Sequence, residues 1–112
     1  MGVRRSVAVT DGKALMNLVT RATRWDFVRD EVESEDAGDY VDRLYGTIQF
    51  SLRNWNKYFD EDRGRSEAGL TNDLAEIRKH GYSVIAVVTP RKAPGPDGET
   101  EKFSVVLKVV KG

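Results

Sequence analysis

The chain has 112 residues, of which 39% are hydrophobic and 32% are charged, and its formal net charge is zero. This composition fits a single domain over residues 1–112 with one modest core, and the balanced charge disfavours a generally basic nucleic-acid binder. Because the chain lacks cysteine, disulfides, cysteine-ligated zinc and thiol catalysis are excluded. The chain has a single histidine, so it also has too few nitrogen ligands to favour another kind of structural metal site.

The first part of the chain predicts a short strand followed by a helix. Val7 and Val9 alternate with smaller or polar residues over residues 5–10, which favours a strand. Asp11 offers an N-cap oxygen, and apolar residues then recur at steps of three and four. This spacing predicts a helix over about residues 11–29.

An acidic stretch over residues 26–43 precedes the clearest helical pattern. Residues 33–38 are expected to be an exposed loop, because so many carboxylates cannot be desolvated together. A helix is predicted over about residues 39–59, where Asp39 near the start would suit the helix dipole. Its apolar side carries Val41, Leu44, Tyr45, Ile48, Leu52, Trp55 and Phe59.

The last third predicts a helix that leads into a β-hairpin. Residues 60–69 are polar and contain two glycines, so they are expected to form a turn region. The pattern predicts a helix over residues 70–80, ended by Gly81 in a left-handed cap. The hairpin strands are predicted at residues 82–89 and 102–110, joined by a turn-rich loop over residues 90–101.

Both hairpin strands carry apolar residues at consecutive positions. A strand with one wet face should alternate, so either both faces of the sheet are covered within the chain or one docks onto another chain. Only three predicted helices are available to cover the sheet. The pattern therefore favours a homodimer through the apolar hairpin, or another protein partner.

The segment over residues 70–85 resembles the recognition helix and first wing strand of winged helix-turn-helix DNA-binding domains. In that family, a helix that ends in a pattern similar to Leu-x-x-Ile-Arg-Lys-x-Gly-Tyr leads into a two-stranded wing. The resemblance covers the C-terminal third of the chain. It implies an α+β fold that is winged-helix-like, whereas the residues alone predict three helices and a hairpin in a small helix-on-sheet domain.

The resemblance also implies a regulator or accessory protein that binds duplex DNA and acts in transcription. Bases in the major groove would be met by Thr71, Asn72 and either Arg63 or Arg65, and phosphates by Arg78, Lys79, Arg91 and Lys92. The chain departs from the family in its long link over residues 60–69, in several acids near the reading helix, and in its apolar wing strands.

A second hypothesis is a protein-binding inhibitor or immunity-type module, of the kind that phages encode. Such proteins are short, neutral and free of cysteine and catalytic motifs. The contact would be made by the hairpin or by the acidic stretch, through Glu33, Glu35, Asp36 and Asp39. The acidic stretch has the alternative interpretation of a solvated linker.

The sequence contains no recognised catalytic motif. There is no glycine-rich phosphate loop, no nucleophile elbow and no spaced calcium loop, so we expect no enzyme, no cofactor and no metal. No apolar run approaches the ~18 residues needed to cross a bilayer. We therefore expect a cytoplasmic protein without a membrane partner.

Overall fold

Helices and strands alternate along the first part of the chain, and the expected α+β class is confirmed. The computed structural model describes residues 4–29, 32–57, 59–91 and 102–112. The strands are β1 (Arg5–Ala8), β2 (Arg24–Val28), β3 (Tyr82–Arg91) and β4 (Lys102–Lys111). The helices are α1 (Gly12–Arg21), α2 (Glu35–Asn54) and α3 (Asp60–Lys79).

The four strands form one mixed sheet in the order β1-β3-β4-β2. Strand β3 is antiparallel to both β1 and β4, whereas β2 runs parallel to β4. The predicted hairpin is confirmed, with strands one or two residues longer than expected at their ends. It forms the two central strands of the sheet and is flanked on both sides.

One side of the sheet supports the helices and holds the core. On β3 and β4 this side carries Val84, Ala86, Val88, Val105, Leu107 and Val109, all of which are buried. The helices contribute Leu15, Met16, Val19, Val41, Leu44, Ile48, Leu70, Leu74 and Ile77 to the same cluster. Burial of these aliphatic side chains supplies the main stabilisation of the fold.

The first helix is shorter than the predicted span of residues 11–29. Helix α1 ends at Arg21, and Arg24–Val28 forms the edge strand β2 instead. Trp25 satisfies a helical repeat, but together with Phe27 it also satisfies the two-residue repeat of a strand. Pairing with β4 decides between them, because it turns both aromatic rings toward the helices and satisfies the backbone of β2.

The second helix begins and ends about four residues earlier than the predicted span of residues 39–59. The Oγ of Ser34 accepts a hydrogen bond from the backbone N–H of Ala37 at 3.3 Å, so Ser34 is the N-cap. Glu35 and Asp36 then occupy the first turn, where the helix dipole favours negative charge. The expected loop over residues 33–38 is thus mostly the start of α2.

Phe59 was assigned to the apolar side of the second helix, and this prediction is wrong. It precedes the first residue of α3 and is 80% exposed. Trp55, in contrast, packs against the core as expected.

The third helix is about twice as long as the predicted residues 70–80. Residues 60–69, expected as a turn region, are its first half. Three acids in the first turn suit the dipole, and Arg65 pairs with Glu61 one turn away at 2.7 Å. Gly64 and Gly69 are exposed and meet no other group, so these glycines do not interrupt the helix.

The end of α3 and the start of the hairpin follow the sequence closely. Gly81 has a φ of 87°, a left-handed conformation that glycine adopts at low cost. The N-terminal strand is also present, but as Arg5–Ala8 it is shorter than the predicted residues 5–10. Its register places Val7 opposite Ala86 of β3.

Candidate functional site

The residues proposed to read DNA are spread along the whole of α3. Arg63 and Arg65 lie in its first two turns, whereas Arg78 and Lys79 lie in its last turn. At about 1.5 Å per residue, Arg63 and Arg78 are separated by about 22 Å along the helix axis. The structure therefore does not bring these four basic side chains together.

Two of these arginines have partners within their own neighbourhood. The Nε of Arg63 donates to the carbonyl oxygen of Trp55 at 3.0 Å, and its guanidinium lies 5.3 Å from the centre of the Trp55 ring. Arg65 pairs with Glu61 at 2.7 Å and lies 4.0 Å from a carboxylate oxygen of Asp62. Both contacts stabilise the beginning of α3, and the carboxylates of Glu61 and Asp62 offset the positive charge of Arg65.

Thr71 holds two helices together. Its Oγ1 accepts a hydrogen bond from the backbone N–H of Gly12 at 2.8 Å and donates one to the carbonyl oxygen of Glu67 at 2.9 Å. The hydroxyl is thereby engaged between α1 and α3. The neighbouring Asn72 is exposed on the same helix.

The cations proposed to meet phosphates differ in their surroundings. Arg78 is exposed, whereas the Nζ of Lys79 lies 3.1 Å from a carboxylate oxygen of Glu76. Arg91 is exposed at the end of β3, where the register places it opposite Lys102. Lys92 lies outside the described residues.

The acidic residues of the alternative site surround the beginning of α2. Glu33 precedes the helix, and its carboxylate lies 3.7 Å from the Nζ of Lys111. Its backbone N–H donates to the hydroxyl of Tyr82 at 3.1 Å. Glu35 and Asp36 belong to the first turn, and Asp39 is exposed one turn further on. The helix dipole therefore accounts for part of this acidic concentration.

Sequence reasoning left the two sides of the sheet undivided, and the structure separates them. We call the side opposite the helices the open face. Its rows follow from the strand register, with Val87 and Val106 side by side in one row and Ile85 and Lys108 in the next. The residues of the open face are Ser6, Ala8, Arg24, Asp26, Val28, Ser83, Ile85, Val87, Thr89, Arg91, Lys102, Ser104, Val106, Lys108 and Val110.

The centre of the open face is apolar. Ile85, Val106 and Val110 are half-buried, and Val87 is 8% exposed. None of these four belongs to the core cluster beneath the helices or to the partly buried residues packed against it. Within the described part of the chain, all three helices contribute their buried side chains to the other side.

Charged residues of the open face lie on β2 and on the neighbouring strand β4, and Arg91 and Lys102 form its last row. Asp26 lies in the row of Val87 and Val106, and Arg24 and Lys108 lie in the rows on either side of it. The Oδ1 of Asp26 accepts a hydrogen bond from the backbone N–H of Phe27 at 2.8 Å. The face therefore presents both signs of charge beside an apolar centre.

A shallow groove of about 500 Å³ lies on the other side of the molecule, between α2 and α3. It is lined by Thr47, Phe50, Asp62, Arg65 and Ser66. It is open to solvent, and its charged walls already pair with the neighbouring turn of α3.

One carboxylate is buried between helices. Asp73 is 3% exposed and faces Arg43 of α2 at 3.7 Å. Burial raises the pKa of Asp73 above its usual range, Arg43 opposes this effect, and Glu76 adds to it. An acid of this kind is a candidate for function only if it faces a cleft, and Asp73 faces the packed interface of α2 and α3.

The described residues contain no group of three or more histidine, cysteine or acidic side chains that could hold a metal ion. Among the helices of the same residues, none is both long and apolar enough to cross a bilayer. Comparison with models of known protein families, with curated proteins and with solved structures found no match to this chain.

Proposed function

We propose that this chain is a non-enzymatic protein-binding module, of the inhibitor or immunity type, whose contact surface is the open face of the sheet. One observation carries the proposal: the central hairpin has an apolar strip on the side opposite the helices, and none of its residues belongs to the core cluster beneath them. The strip consists of Ile85, Val87, Val106 and Val110. Protein interfaces have this anatomy, with an apolar centre inside a polar rim.

The hairpin is preferred over the acidic stretch for a physical reason. Glu35 and Asp36 stabilise the start of α2, and Glu33 lies near Lys111. The structure of the chain itself therefore accounts for these carboxylates, and no binding partner is needed to explain them. The apolar strip has no such role within the described residues. Removing it from water would lower the free energy of a complex by about 25 cal/mol for each Å² buried, before the costs of association.

Binding of duplex DNA is the second candidate, and one observation favours it. Asn72 and Arg78 are exposed on α3, and Arg91 is exposed at the end of β3. Asparagine and arginine read base edges and phosphates. The acids beside Arg65 and Lys79 weaken this case, because they would repel the phosphate backbone.

The proposed function is tested by capturing partners on the tagged chain, with a matched pair of variants. Val106→Lys places a cation in the centre of the open face. Val7→Lys makes the same change on β1, where Val7 is 44% exposed on the helix side of the sheet. We expect a stoichiometric protein partner that Val7→Lys retains, that Val106→Lys loses and that nuclease treatment leaves bound.

Two results would favour DNA instead. One is loss of all captured material after nuclease treatment. The other is affinity for mixed-sequence duplex that falls steeply with salt and is weakened by combined Arg78→Ala and Arg91→Ala substitution, since each lost phosphate contact reduces the salt dependence. Either result, with an unaffected Val106→Lys variant, contradicts the protein-binding proposal.

A further inference from the structure

We infer that the partner of the open face is a second copy of this chain, packed face to face as a two-fold dimer. The inference rests on the proposed function and names the occupant of the same surface. A dimer of this kind requires a patch that is complementary to itself. The open face meets this requirement in its apolar centre and in the arrangement of its charges.

The sheet geometry sets the arrangement of the two copies. The two-fold axis lies between the two sheets, perpendicular to the strands and midway between the row of Val87 and the row of Ile85. Each strand of one copy then lies over the same strand of the other copy and runs in the opposite direction. Ile85 of one copy then packs on Val87 of the other, and the two sheets lie about 10 Å apart. The aliphatic part of Lys108 covers Val106 of the second copy in the same way.

The charges on the open face complement each other in this arrangement. Asp26 is on β2 and Lys108 on the adjacent strand β4, one row apart. The two-fold axis exchanges the two rows, so it brings Lys108 of each copy next to Asp26 of the other. Two equivalent ion pairs therefore form at the rim of the apolar contact, where they fix the register more than the affinity.

The area agrees with a weak dimer. Strands β3 and β4 have 10 residues each, and the outer strands β1 and β2 have 4 and 5. At a spacing of about 4.8 Å and a rise of about 3.3 Å per residue, the open face has a flat footprint of about 450 Å². Two faces bring together about 900 Å² of flat area, which lies below the range of about 1,200–2,000 Å² for specific, stable interfaces and within the range of weak or transient ones. We therefore expect dissociation in the micromolar range.

Sedimentation equilibrium of the purified full chain tests the inference over a range of concentrations. We expect a reversible monomer–dimer equilibrium, weakened at least about tenfold by Val106→Lys and unchanged by Val7→Lys, because only the first change buries a cation in the contact. Circular dichroism verifies that each variant is folded. If Val106→Lys does not fold, the nearly isosteric Val106→Thr replaces it and should weaken the dimer in the same direction.

Charge reversal tests the two-fold arrangement itself. Asp26→Lys and Lys108→Asp should each weaken self-association, because each places like charges across the contact. A mixture of the two variants should associate at least as well as the original chain, since every cross-copy pair then has opposite signs. A rearrangement within one chain cannot produce this recovery on mixing.

The outcomes separate this inference from the proposed function. A chain that stays monomeric, yet captures another protein through a contact that Val106→Lys abolishes, overturns the dimer and keeps the module. A dimer that Val106→Lys does not affect, or two charge variants that do not recover on mixing, overturns the inferred arrangement. Absence of both self-association and a captured protein overturns the inference and the proposed function together.

Discussion

At the scale of single residues, several charged side chains of α3 have structural partners. Arg63 is held by Trp55, Arg65 by Glu61, and Lys79 by Glu76. Exposed ion pairs of this kind stabilise a protein by at most about 1 kcal/mol each. They nevertheless limit what these side chains offer to a ligand, because a nucleic acid would have to compete with the acids already present.

Asp73 is the residue whose charge is least compatible with its surroundings. It is almost fully buried between α2 and α3, and the guanidinium of Arg43 lies at 3.7 Å, beyond direct hydrogen-bonding distance. Desolvation raises the pKa of Asp73, against the opposing effect of Arg43. The folded chain therefore binds the proton of this carboxyl more tightly than the unfolded chain does.

This pKa shift predicts the pH dependence of stability. Between the pKa of the unfolded chain and the higher pKa of the folded chain, the folded state carries more protons, so the free energy of unfolding falls as the pH rises. Comparison of urea unfolding at about pH 4 and at about pH 7 should show the original chain losing stability relative to Asp73→Asn.

The exposed acid Asp39 provides the control for this experiment. Asp39→Asn removes the same charge without changing the buried contact of Asp73. This variant should therefore lose as much stability between about pH 4 and about pH 7 as the original chain does. A stability difference between the original chain and Asp73→Asn that stays constant across the pH range would contradict a raised pKa at Asp73.

At the scale of elements, a clear helical repeat identified α2, and runs of apolar residues bounded by turn residues identified the hairpin strands. The apolar side of α2 and the two hairpin strands are present close to their expected positions. Strand β2 was missed because Trp25 fits both a helical and an extended repeat, and only its partner strand β4 decides between them. That partner is far away in sequence, so local pattern reasoning has no access to it.

The first half of α3 was missed for a different reason. Residues 60–69 contain charged residues and two glycines, which is the composition of a turn. They are helical for two reasons. The second half of α3 is anchored in the core by Leu70, Leu74 and Ile77, and the helix extends from it toward the N-terminus. The acids of the first turn favour this extension because they suit the helix dipole. Helix propagation costs much less than nucleation, so a stable segment can extend into a poor one.

Helices α1 and α3 approach each other closely at Gly12. A Cβ atom at this position would overlap the carbonyl oxygen of Glu67 and would lie 2.8 Å from the Cβ of Leu70. The N–H of Gly12 also donates to Thr71 at 2.8 Å. The absence of a side chain at Gly12 is therefore what allows this hydrogen bond.

We expect Gly12→Ala to lower the free energy of unfolding by about 1–3 kcal/mol, because overpacking forces the two helices apart. Chemical denaturation measures the effect. The matched control is Gly64→Ala, since Gly64 lies inside α3 with open space around it. That change should raise stability by up to about 1 kcal/mol, because alanine favours a helix. Equal effects of the two substitutions would contradict the close approach.

At the scale of the whole molecule, the function depends on how the sheet is covered. The consecutive apolar residues of the hairpin already indicated that both sides of the sheet need cover or that one side meets a partner. The sequence could not decide which side the helices take, because Val84 and Ile85 are equally apolar. The register decides it, since Val84 and its equivalents on β4 are buried beneath the helices, whereas the alternate positions on the other side are half-buried, with the exception of the buried Val87 and the exposed Arg91.

The same placement separates the residues of the two candidate sites. Residues expected to form one DNA-reading surface are distributed over both ends of α3 and the end of β3. The central strands of the sheet, by contrast, bring apolar residues from two distant segments into adjacent rows. A contact surface made in this way depends on strand pairing, so its residues could not be identified individually from the chain.

The most direct measurement of the central claim is the reactivity of single cysteines in this cysteine-free chain. Val106→Cys on the open face should be alkylated readily in dilute solution, and more slowly when the chain is concentrated or its captured partner is added. Val105→Cys, 1% exposed beneath the helices, should react slowly throughout, and Ala68→Cys on exposed α3 should react readily throughout. An alkylation rate at Val106→Cys that neither concentration nor the bound partner changes would contradict the assignment of the open face as the binding surface.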